Sequence, residues 1–121
     1  MKKTLIVGAT TNPSRYAYLA AELLGKKGQP FVPIGIKTGN LFGQDILDLK
    51  AKPQIEDLDT ITLYIGPQHQ EEWYDYLLGL KPSRIIFNPG TENPIFEMKA
   101  AEKGIEVAKA CTLVLLSTGQ Y

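Results

Sequence analysis

The chain has one cysteine, one histidine and no excess charge of either sign. A lone cysteine cannot build an internal disulfide framework, so the core must hold the fold, and a reducing compartment, the cytoplasm, is the expectation. With 13 basic and 13 acidic residues among 121, nothing suggests the basic stripe that tracks a phosphate backbone, and no nucleic-acid partner is expected. No apolar run approaches the roughly 20 residues that span a bilayer. The apolar run in MKKTLIVG is too short for a secretory signal. One histidine and one cysteine do not make a metal site. What remains is a single globular domain over residues 1–121, long enough for one core.

Hydrophobic patterning sets the expected elements. Thr4–Val7 runs into Gly8 as a strand buried on both faces. Further strands are expected at Phe31–Ile36, Thr60–Ile65, Arg84–Phe87 and Ile105–Ala108. Pro33 removes a ladder donor, so the second strand should be short or poorly paired on one side. Asn12-Pro13 and Asn93-Pro94 each read as a helix cap followed by a proline that needs no N–H partner. The first helix would bury Tyr16, Leu19, Ala20, Leu23 and Leu24 and close at Gly28. A second, Glu71–Leu80, would bury Trp73, Tyr76, Leu77 and Leu80; a third would run from Asn93-Pro94 to about Lys103. KTGNLFGQ reads as a loop, Ile46–Leu49 as an edge strand or helical turn, and TLVLLSTGQY as a strand extension or terminal helix. Strands alternating with helices imply an α/β, Rossmann-like three-layer sandwich with a mostly parallel sheet of five to six strands.

Such sheets bind ligands beyond the carboxyl ends of the strands, beside strand one. Four loops begin there, at Gly8, Gly35, Gly66 and Asn88. The first, in LIVGATTNPSRY, lacks the dinucleotide pattern G-x-G-x-x-G, which would need glycine at Thr10 and Pro13. It still leads into a helix N-terminus, which favours an anion. Arg15, in the first helical turn, opposes the dipole and reads as an anion partner or a solvated arginine. After strand two, a nicotinamide dinucleotide site wants a carboxylate. Lys37 stands there instead, suited to an extra ribose phosphate, as in NADP or coenzyme A, or simply exposed.

The stretch VGATTNPSRYAY resembles the V-G-A-S-x-N-P-x-R-x-[SA]-Y motif of small stand-alone CoA-binding domain proteins of bacteria, the YccU-like family. That family is related to the nucleotide-binding domain of the succinyl-CoA synthetase α subunit, and the resemblance covers essentially the whole chain. It implies non-catalytic binding of coenzyme A or an acyl-CoA through the first βα loop. Gly8, Ala9 and Thr10 would meet the pyrophosphate, with Asn12 and Pro13 opening the helix and Arg15 nearby. Lys37 would lie near the adenosine 3′-phosphate. Ile65, Gly66 and Pro67 would pass over the adenine or pantetheine, and Asn88, Pro89 and Gly90 would border the pantetheine end. The chain departs from the family pattern at Ile34-Gly35-Ile36, IIFNPGTEN and Lys109-Ala110-Cys111. The synthetase relatives take their catalytic groups from further domains, so the resemblance carries binding rather than ligase activity.

No catalytic residue stands out. His69 reads as a surface side chain, Cys111 as a packed thiol ending a strand, and Ser14 has no base in sequence reach. Two other functions fit the same residues: a small NADP-dependent enzyme, or an interaction module with a vestigial nucleotide site. In the latter, Trp73, Tyr74 and Tyr76 would contribute a homodimer face.

Overall fold

The computed structural model describes residues 3–121; Met1 and Lys2, from the N-terminal stretch read above, lie outside the described residues. The apolar runs become strands β1 (Lys3–Val7), β2 (Phe31–Gly35), β6 (Leu58–Leu63), β7 (Arg84–Phe87) and β8 (Glu106–Lys109). A short edge strand, β5 (Leu47–Asp48), completes a six-stranded sheet in the order β5-β2-β1-β6-β7-β8, with every neighbouring pair parallel. This is the Rossmann-like arrangement expected. Pro33 is accommodated because β5 pairs with β2 only from Ile34 onward, so the missing donor costs no ladder bond on that side.

Helices cover both faces. Leu5, Val7, Ile61, Leu63, Ile85 and Phe87 share one core with α2 (Tyr74–Gly79) and α3 (Pro94–Glu102). Ile6 shares the other with α1 (Tyr16–Lys26) and Leu116 of α4 (Thr112–Ser117). The segment after Cys111 is thus a helix, with Cys111 half-exposed at its N-cap rather than packed at a strand end. On the α4 side, Tyr121 folds back so that its hydroxyl meets that of Thr4, and the Arg84 guanidinium lies 4.7 Å from its ring centroid.

Three expectations shift. First, α1 starts at Tyr16, and Asn12 does not cap it. Asn12 and Pro13 instead form a β-turn: the Arg15 amide donates to the Asn12 carbonyl at 3.1 Å, and the Ser14 amide donates to Asn12 Oδ1 at 3.0 Å. The buried face is therefore Ala17, Ala20, Ala21 and Leu24, small residues that bring the helix close to the sheet, while Tyr16 is 69% exposed. Second, KTGNLFGQ contains a hairpin, β3 (Asn40–Leu41) and β4 (Gln44–Asp45), closed by Phe42 and Gly43 at φ 52° and 91°. Third, the stretch 67–80 is two 3-10 turns followed by the short α2, which rotates the apolar face. Trp73 and Tyr74 are buried, and the half-buried Tyr76 donates its hydroxyl to the Pro53 carbonyl at 2.6 Å. These rings turn into the molecule and supply no free face for a second copy.

Asn93 performs the capping its sequence promised. Its Oδ1 accepts from the amides of Ile95 and Phe96, and its Nδ2 donates to Gln70 Oε1 at 2.9 Å and to the Tyr74 hydroxyl at 2.7 Å. Replacing it removes a cap and strands two buried acceptors. Asn93→Ala is expected to lower unfolding stability by about 2–4 kcal/mol, measured by urea denaturation with an unchanged slope.

Candidate functional site

Because all six strands run the same way, their carboxyl ends open on one edge. The chain leaves β1 toward β2 on one side and reaches β6 on the other, so a crevice forms between the two crossovers. It holds a cleft of about 640 Å³, within the range of small-ligand sites. Glycines keep its walls thin. Gly8 has φ +97°, and a Cβ there would lie 3.0 Å from Ile65 Cγ2 and 3.2 Å from the Tyr64 backbone. A Cβ on Gly35 would sit 3.1 Å from the Ala9 carbonyl oxygen.

Of the residues expected at a ligand, Gly8, Ala9, Thr10, Arg15, Lys37, Ile65, Gly66, Pro89 and Gly90 line this cleft. Asn12, Pro13, Pro67 and Asn88 do not. Asn12 and Pro13 are consumed by the turn described above, and Pro67 opens a 3-10 turn with its ring exposed. Asn88 faces inward and is 2% exposed. Its Nδ2 donates to Thr62 Oγ1 at 2.8 Å and to the Leu63 carbonyl at 2.9 Å, and its Oδ1 accepts from the Thr112 amide at 2.8 Å. It ties β6 and β7 to the start of α4, beneath the cleft rather than in it.

The first loop also differs in detail. The amides of Gly8 and Ala9 both donate to the Ile34 carbonyl, at 2.9 and 3.1 Å, and so are turned away from any phosphate. Among the described residues, no protein acceptor meets the amides of Thr10, Thr11, Tyr16 or Ala17. The N-terminus of α1 has no side-chain cap and no acidic residue in its first turn; Arg15 occupies the N-cap position itself. Among the described residues the one ion pair is Lys109–Glu97, at 3.9 Å, so Arg15 and Lys37 are both unpaired. Two cations and a bare helix N-terminus therefore converge on one wall.

The opposite wall comes from the turns after β6 and β7. Gln70 is fully buried and holds them together, its Nε2 donating to the carbonyls of Ile65 and Thr91, each at 2.9 Å. This wall brings in side chains that no motif assigned to the cleft: Tyr64, Glu72, Trp73 and Thr91, with His69, which reaches it despite its surface position. Ser14, Tyr16 and Ile36 line the other side unanticipated, and Ile36 is 67% exposed. The Tyr64 ring packs against the α1 side of the core, and among the described residues its buried hydroxyl has no hydrogen-bond partner. Burial pushes its pKa from 10.0 up to about 12; the neighbouring hydroxyls of Thr62 and Thr112 offset only part of the rise. Among the described residues no helix is long and apolar enough to cross a membrane, and no group of His, Cys, Asp or Glu is arranged to hold a metal ion.

The chain matches the CoA binding domain family over residues 2–117, and it belongs to that family. The crystal structure of an uncharacterized protein is 54% identical to it, with a TM-score of 0.96, over 100% of this chain and 98% of that one. Two more distant structures share the fold. A Thermus thermophilus protein is 23% identical, with a TM-score of 0.81, over 99% of this chain and 90% of its own. A hypothetical protein from Pyrococcus horikoshii OT3 is 22% identical, with a TM-score of 0.83, over 97% and 82%. No curated protein matches the chain.

Two measurements check this account of the site. Asn88→Ala removes three buried hydrogen bonds, of which only that to Thr62, still bonded to the Thr112 hydroxyl, leaves a partnered group, and is expected to cost about 2–3 kcal/mol in denaturant unfolding. Tyr64 keeps its proton more tightly when folded, so its contribution is complete below pH 10 and is lost as pH rises from 10 to about 12. Tyr64→Phe is expected to spare about 1–2 kcal/mol of that alkaline loss, after allowance for partial solvent screening, and to leave stability at neutral pH unchanged or higher.

Proposed function

We propose that the protein binds coenzyme A or an acyl-CoA in the cleft beyond the carboxyl ends of β1, β2, β6 and β7, without catalysing a reaction. The observation that carries this is the bare N-terminus of α1, with Arg15 at its cap, facing a cleft that Lys37 also lines. Orphan amides, a positive dipole end and unpaired cations are complementary to a pyrophosphate and a further phosphate. Thr10, Thr11 and the first amides of α1 would hold the pyrophosphate, with Gly8 and Ala9 thinning the loop behind it. Lys37, where a nicotinamide dinucleotide site would have a carboxylate, would meet the 3′-phosphate. Ile65, Gly66, Pro89 and Gly90 would flank the pantetheine arm. The residues present fit such a ligand: the cleft is large enough, and its cations have no ion-pair partners among the described residues.

Titration calorimetry with coenzyme A, dephospho-CoA and NADP tests this. Micromolar coenzyme A binding is the expected result; its absence, or tighter NADP binding, overturns the proposal. Lys37→Ala is expected to weaken coenzyme A about tenfold, the worth of one charge-assisted contact, and to leave dephospho-CoA nearly unaffected. Arg15→Ala should weaken both.

A further inference from the structure

The charges in the cleft are sorted by position. Arg15 and Lys37 belong to the loops after β1 and β2. The lining carboxylate, Glu72, belongs to the segment after β6, on the other side of the crevice, beside His69, Ile65 and Trp73. Glu72 is exposed and has no ion-pair partner among the described residues. Its wall is built of Ile65 and Trp73, carries neither Arg nor Lys among the lining residues, and is fixed from behind by Gln70.

A coenzyme A thioester is also electrically lopsided. Every phosphate sits in its nucleotide half; the pantetheine arm is neutral, and the acyl group ends that arm. Resting on the proposed function, we infer that this charge sorting orients the ligand, with the acyl group toward the Glu72 wall, and that the cleft thereby selects acyl groups without a negative charge over ω-carboxyacyl groups. A carboxylate brought within a few ångströms of Glu72 meets a like charge with no cation to offset it. At a half-open site the repulsion between two carboxylates about 4–6 Å apart corresponds to an affinity difference of about three- to tenfold. An uncharged acyl chain of the same length meets only Ile65 and Trp73, which favour it.

Butyryl-CoA and succinyl-CoA have acyl chains of equal length and differ in a terminal methyl against a terminal carboxylate. Calorimetric titration of the whole chain with coenzyme A, butyryl-CoA and succinyl-CoA, at fixed pH and ionic strength, provides the test. The expected result is butyryl-CoA bound about three- to tenfold more tightly than succinyl-CoA, with the gap shrinking as salt is raised. Glu72→Gln should narrow the gap and remove its salt dependence; Glu71→Gln, an exposed neighbour outside the cleft lining, should preserve both. Equal affinities in the unaltered protein, or a gap that Glu72→Gln leaves unchanged, overturn the inference while leaving coenzyme A binding intact. Failure to bind coenzyme A itself overturns the proposed function and this inference together.

Discussion

The cleft exists because one buried amide holds its floor. A parallel sheet releases every strand into its connecting loop at the same edge, and those loops tend to collapse on one another. Asn88 prevents this by spending both donors and its acceptor on β6 and the first amide of α4. Gln70 repeats the device one layer out, clamping the Ile65 and Thr91 carbonyls. Both side chains are buried and satisfied, so the turns they hold are stiff. A ligand entering such a site finds walls already in place and loses little to ordering them.

The same dipeptide opens two stretches of chain with opposite results. At Asn93-Pro94 the side chain caps α3 directly, and Glu97 accepts from the Asn93 amide at 2.8 Å, so that helix is closed to any outside anion. At Asn12-Pro13 the side chain is used up two residues later by Ser14, and α1 begins without a cap. The uncapped helix is the one that faces the crevice. A bare helix start costs roughly 1 kcal/mol relative to a capped one, a deficit that an anion at the cleft would remove.

The strands, the parallel sheet and the glycine-cation character of the first two loops were legible in the sequence, because each depends on local composition. Continuous apolar runs mark strands covered on both faces, and Gly8 marks the sharp exit from β1. What was not legible depends on phase and on distant partners. The helix expected over Glu71–Leu80 opens with a 3-10 turn, so a 3.6-residue period left Tyr74 out of the buried set, when it is Tyr74 that is buried and whose hydroxyl meets Asn93. Asn88 follows a strand just as a ligand-binding residue would; only the positions of Thr62 and Thr112, far away in sequence, turn it inward. Glu72 and Trp73 enter the cleft because two short turns after β6 fold back over its rim, and no motif announces that.

The hairpin after β2 explains how two unpaired cations come to line one cleft. Gly39 has φ +144°, and a Cβ there would collide with Thr11 Cγ2, so the second loop is keyed directly into the first. The Ile46 amide, donating to the Gly39 carbonyl at 2.8 Å, closes the base of the hairpin, and Phe42 packs at a tilt against Tyr18 of α1 with ring centroids 5.1 Å apart. Packing, rather than an ion pair, thus holds the loop carrying Lys37 beside the loop carrying Arg15. Neither cation gains from the other, since like charges lining one cleft repel. Steric keying of the two loops brings both cations to one cleft, where a multiply charged anion would gain from both at once.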